Sequence, residues 1–107
     1  MSQHHLRHLD ELAPALRVCI YGAGGRGTLV YEMLKTHRPD VHIQFFVDDY
    51  KTNYHEGLEI VSYSGMMQRQ HEYDVILIAS LHVEAILSHL ECDNYYIVST
   101  DQFSYDT

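Results

Sequence analysis

Arg17-Val18-Cys19-Ile20-Tyr21-Gly22-Ala23-Gly24-Gly25-Arg26-Gly27 is the stretch on which the reading of this chain turns. Val18, Cys19 and Ile20 form a short apolar, β-favouring run, as a strand covered on both faces requires. The run passes directly into glycines at positions 22, 24, 25 and 27. Beyond them Leu29, Val30, Met33 and Leu34 share one helical face over Thr28 to Lys35, and Pro39 disfavours a helical Arg38. Strand, glycine turn and helix are therefore expected in that order.

Working outward, His42 to Val47 reads as a second strand that stops at Asp48-Asp49. Gly57 to Val61 reads as a short third strand, followed by a weak helix around Ser64 to Gln70. Asp74 to Ala79 is the most continuous apolar run and is expected to be a central parallel strand. Val83, Ile86, Leu87 and Leu90 mark a helix, Tyr95 to Val98 a fifth strand, and Ser99 to Thr107 a short polar end. Upstream, Leu6, Leu9, Leu12 and Ala13 fall at helical spacing before Pro14, which predicts a leading helix within residues 1–15. The expected fold is α/β: a Rossmann-like, doubly wound open parallel sheet of about five strands in three αβα layers, with right-handed crossovers, over residues 16–107.

With 107 residues the chain has room for one core and not two. No run approaches the roughly 20 apolar residues of a membrane helix. The opening Met1-Ser2-Gln3-His4-His5-Leu6-Arg7 has no basic flank leading into an apolar core, so a cytoplasmic location is expected. Fifteen acidic against seven basic residues give a formal charge of −8, which disfavours nucleic acid and anionic membranes as partners. Nine histidines can lessen that charge near neutral pH while leaving its sign. Cys19 and Cys92 read as free thiols.

A pyrophosphate needs backbone N–H groups at close range and a helix N-terminus aimed at it, and any Cβ in the way pushes it out. Gly22 can make the tight turn, Gly24 can let the phosphate approach, and Gly27 can let the helix press against the first strand. Gly25 and Arg26 complete the loop, the arginine able to add charge. Asp48, at the end of the next strand, is placed to accept hydrogen bonds from an adenosine ribose and to repel a 2′-phosphate, which favours NAD over NADP. Asp49 either joins it or opens a solvated turn. Ser80, at the end of the strand over 74–79, either touches a ligand phosphate or ribose or caps the helix after it. The expected partner is a small-molecule nucleotide, NAD(H) first. A UDP-sugar is the alternative, with Asp48 and Asp49 at its uridine end, and an interaction module with an empty loop is the third reading.

Other constellations carry less. Tyr31-x-x-x-Lys35 has the catalytic spacing of short-chain dehydrogenases but lies on the helix directly after the glycine loop, the wrong place for that pair. His4, His5 and His8 have metal-compatible spacing without further ligands, and read as a solvated helix face. His82 follows a strand end, where ligands of open sheets sit, though a histidine at a helix start is usually structural. No catalytic residue and no metal site is expected.

The run from Arg17 to Gly27, with Phe45-Phe46-Val47-Asp48-Asp49, Gly57-Leu58-Glu59-Ile60-Val61 and Tyr73-Asp74-Val75-Ile76-Leu77-Ile78-Ala79, resembles a known group of domains. It is similar to the small Rossmann-like domain preceding the catalytic part of polysaccharide-biosynthesis nucleoside-diphosphate-sugar epimerases and dehydratases, over about residues 16 to 100. Related domains occur in sugar-modifying methyltransferases and in sialic-acid-type sugar acyltransferases. The resemblance implies that Gly22, Gly24 and Gly27 take the loop positions and Asp48 the acidic one. It does not carry catalysis over. A stand-alone module, a homodimer and one part of a longer enzyme all stay open.

Overall fold

The computed structural model describes residues 4–98. It is an α/β structure whose seven strands form one sheet, parallel except at one edge. In chain order the elements are β1 (His5–Leu6), β2 (Arg17–Tyr21), α1 (Gly25–His37), β3 (His42–Val47), β4 (Tyr54–His55), β5 (Leu58–Val61), α2 (Tyr63–Gln68), β6 (Val75–Ile78), α3 (Val83–Leu87) and β7 (Tyr95–Val98). Across the sheet they run β1-β7-β6-β2-β3-β5-β4. The chain thus builds outward from β2 through β3 to β5, then crosses back to place β6 on the other side of β2. The order reverses between β2 and β6, where an open parallel sheet leaves a crevice beyond its carboxyl ends.

Alternation along the strands sorts the core onto two faces. Val18, Ile20, Phe46 and Leu77 pack with Val30, Met33 and Leu34 of α1. Cys19, Tyr21, Phe45, Val47, Ile76 and Ile78 pack with Met66 of α2 and Ile86 of α3. The pairing of β2 with β3 shifts register between Val18 and Ile20, giving β3 one extra residue. That bulge sends Ile43 and Phe46 to the α1 face and Phe45 to the other. α1 ends at His37, with Arg38 as its non-helical cap directly before Pro39.

The five expected strands are all present, and two short ones join them. At one edge β4 pairs antiparallel with β5 through Glu56 and Gly57, both at positive φ (52° and 78°), as a two-residue hairpin turn requires. At the other edge the leading segment corrects the expectation. In place of a helix there is β1, which pairs parallel with β7, and then a single 3₁₀ turn at Leu9–Glu11. The apolar spacing is real, since Leu6, Leu9 and Leu12 are all buried. That spacing does not by itself require a helix, and the segment is held instead by Arg38, which donates to the carbonyls of Leu9 (2.6 Å), Leu12 (3.1 Å) and Ala13 (3.4 Å). Residues 4–15 are therefore part of the same core, not an appendage. Met1–Gln3 and the polar end Ser99–Thr107 lie outside the described residues. No helix among the described residues is long and apolar enough to cross a membrane.

Candidate functional site

Two adjoining lobes, each about 260 Å³, open beyond the carboxyl ends of β2, β3 and β6. Gly22, Asp48, Tyr50, Ser80 and His82 line both. The first lobe adds Gly24, Gly25, Arg26, Lys51 and Leu81. The second adds Tyr21, Asp49, Ala85, Ile86 and His89. Of the candidates drawn from the sequence, Gly22, Gly24, Gly25, Arg26, Asp48, Asp49 and Ser80 meet here, while Gly27 is buried behind the loop.

The four loop glycines divide by cause. Gly22 has φ +128°, and a Cβ there would collide with the Ala79 carbonyl oxygen on β6. Gly27 lies where the first turn of α1 presses on the loop, so that a Cβ would collide with the Gly22 carbonyl oxygen. These two are required by the fold. Gly24 has φ −117°, and a Cβ on it would meet only the mobile end of Lys51 at 3.8 Å; a Cβ on Gly25 would meet nothing within 4 Å. Packing within the chain does not require either to be glycine.

Asp48 is a brace. Its Oδ2 accepts the Ala23 N–H at 3.0 Å, and its Oδ1 accepts the N–H groups of Tyr50 at 2.8 Å and Lys51 at 3.0 Å. Partial burial opposes its charge, but the three amides and the Lys51 cation outweigh that and hold its carboxyl below the usual range. Lys51 in turn donates from Nζ to the Ala23 carbonyl at 3.1 Å. The Ala23 peptide is thus held on both sides by one turn, Asp48 to Lys51. Ser80 Oγ accepts the His82 N–H at 3.0 Å, closing a turn ahead of α3 rather than capping it.

In the second lobe Tyr21 donates to Asp49 Oδ2 at 2.8 Å, and His89 Nε2 stands 3.4 Å from the same phenol oxygen. Burial, with Asp49 second, pushes the Tyr21 hydroxyl well above its ordinary range, so it stays a donor. Ala85 and Ile86 give this lobe an apolar wall, and Tyr50, 91% exposed, stands at its edge. A flat ring with polar edges fits such surroundings. Sequence reasoning missed Tyr21, Tyr50, Lys51 and His89. Tyr21 looked like one more strand residue; a lone lysine and a lone histidine carry no periodic signal.

The profile of a family described as C2185-like, N-terminal, matches residues 15–97. The chain belongs to this family. The matched span contains every residue lining the two lobes. No functionally curated protein matches the chain.

In this C2185-like N-terminal domain His82 lines both lobes, whereas the Tyr31–Lys35 pair and His4 lie elsewhere. Tyr31 and Lys35 border a separate cleft with Pro39, His42 and Leu58, and Lys35 Nζ sits 5.9 Å over the Tyr31 ring. His4 stacks on Tyr95 with ring centroids 4.1 Å apart. Cys19 and Cys92 are both free.

Proposed function

We propose that the chain is a Rossmann-like, three-layer αβα binding module for a nucleotide, NAD(H) first, with the diphosphate over Gly24 and Gly25 and the nucleoside in the lobe of Tyr21, Ala85 and Ile86. One observation carries this reading: Gly24 and Gly25 lack side chains at the N-terminus of a 13-residue helix although nothing in the chain would clash with them. The space they leave is where backbone N–H groups and the helix dipole favour an anion. The reversal of strand order at β2 and β6 supports it, as does the resemblance to nucleotide-sugar enzyme domains. Asp48 and Asp49 both line the nucleoside lobe, so an added 2′-phosphate would meet like charge, and NADP is expected to bind about tenfold more weakly than NAD or worse. The module binds without catalysing, as a sensor or as part of a larger enzyme.

A UDP-sugar is the second reading. The three amides on Asp48 loosen the tie between that carboxylate and an adenosine ribose, and a uridine fits the same lobe.

Calorimetric titration with NAD, NADP, a UDP-sugar and coenzyme A separates these readings. Gly24→Val is expected to abolish binding while circular dichroism shows the fold retained, since the new side chain fills the phosphate space and its Cβ meets only the end of Lys51. A folded G24V protein that keeps wild-type affinity removes the loop from the site.

A further inference from the structure

We infer that Lys51 is the cation that receives the ligand's phosphate, delivered by the turn that Asp48 builds; this rests on the nucleotide reading above. Among the chain's seven lysine and arginine residues, Arg17, Arg38 and Arg69 are tied to carboxylates: Asp74, Asp40, and Glu59 with Glu72. Lys51 rests instead on a neutral acceptor, the Ala23 carbonyl at 3.1 Å. Its ammonium stands 3.8 Å from where a Cβ on Gly24 would be, beside the space assigned to the diphosphate.

An ammonium has three donors, and the carbonyl takes one. A phosphate offers it a charge-assisted bond, roughly twice as strong as a neutral one. A phosphate over Gly24 therefore draws Lys51 towards itself at little cost. The base of the side chain is fixed as well, because Asp48 Oδ1 accepts the backbone N–H of Lys51 at 3.0 Å while Oδ2 holds the loop through Ala23. One carboxylate sets both the phosphate cradle and the residue that reaches over it. On a chain of charge −8, with Asp48 and Asp49 at the same mouth, an incoming anion needs such a counter-charge close by.

The test is titration of wild type, Lys51→Met and Lys51→Arg with ADP and UDP against adenosine and uridine, at low and high salt, followed by NMR. Lys51→Met is expected to weaken the preferred diphosphate about tenfold or more, to flatten its salt dependence, and to leave the matching nucleoside unchanged; Lys51→Arg is expected to restore most of the loss. Equal affinity of wild type and K51M for the diphosphate overturns this assignment alone. So does an equal loss for diphosphate and nucleoside, which marks Lys51 as a prop for the loop. A wild type that binds neither diphosphate overturns the nucleotide reading together with this one.

Discussion

Asp48 shows how one side chain fixes the path of two loops through contacts made wholly within the chain. Three backbone N–H groups converge on its carboxylate, and they need it charged. Asp48→Asn replaces one acceptor oxygen by an amide NH2, a donor that faces a donor, which is expected to cost ~1–2 kcal/mol at neutral pH. The pH dependence follows from the lowered pKa. In the unfolded chain Asp48 titrates near the ordinary value of about 3.9, and in the folded one below it. Its contribution is therefore complete above that ordinary value and is lost as pH falls through the folded one. Urea melts of wild type and D48N are expected to differ at pH 7 and to converge as pH falls below that ordinary value; a gap that stays constant with pH would mean the charge plays no part. The position of Asp48 was legible in the sequence, because a strand ending in an acid after a glycine loop is a local pattern. Its three amide partners were not, since they depend on the path of a turn.

At the scale of elements, the glycine loop joins β2 to α1 through two contacts that tolerate no side chain and two positions that would accept one. Gly27→Ala drives a methyl group into the Gly22 carbonyl and is expected to lower stability by ~1–3 kcal/mol or more, as overpacking does. Gly25→Ala, the first residue of α1 with open space around it, is expected to leave stability unchanged or raise it by up to about 1 kcal/mol through lower unfolded-state entropy. Thermal melts of the two variants decide this, and similar losses would overturn the division. The main strands and helices were readable because each carries its own local apolar pattern, the unbroken run through Ile76, Leu77 and Ile78 most plainly. β1 and β4 were not, being two residues long each and held by what they pair with. The leucines at 6, 9 and 12 mark burial correctly, but spacing alone does not distinguish a helix from a 3₁₀ turn beside a strand.

Across the whole molecule, Arg38 fastens the leading segment to the sheet. Its guanidinium bonds three carbonyls of that segment and pairs with Asp40 at 2.9 Å, and hydrogen bonds to a charged group contribute about 1.5–3 kcal/mol. Arg38→Ala is expected to raise amide exchange at Glu11 and Leu12 well before exchange rises in β2 or β6; a uniform rise across the sheet would show that the segment has no separate hold. The pairing of β1 with β7 also has a consequence in time. The ring of His4 and the carbonyl of Tyr95 meet across 91 positions of sequence. A ribosome adding about 5–20 residues per second needs on the order of 5–20 s to make the second after the first. The earliest described strand to emerge is thus among the last to be seated, and Leu6 waits in water for an edge that has not yet been synthesised.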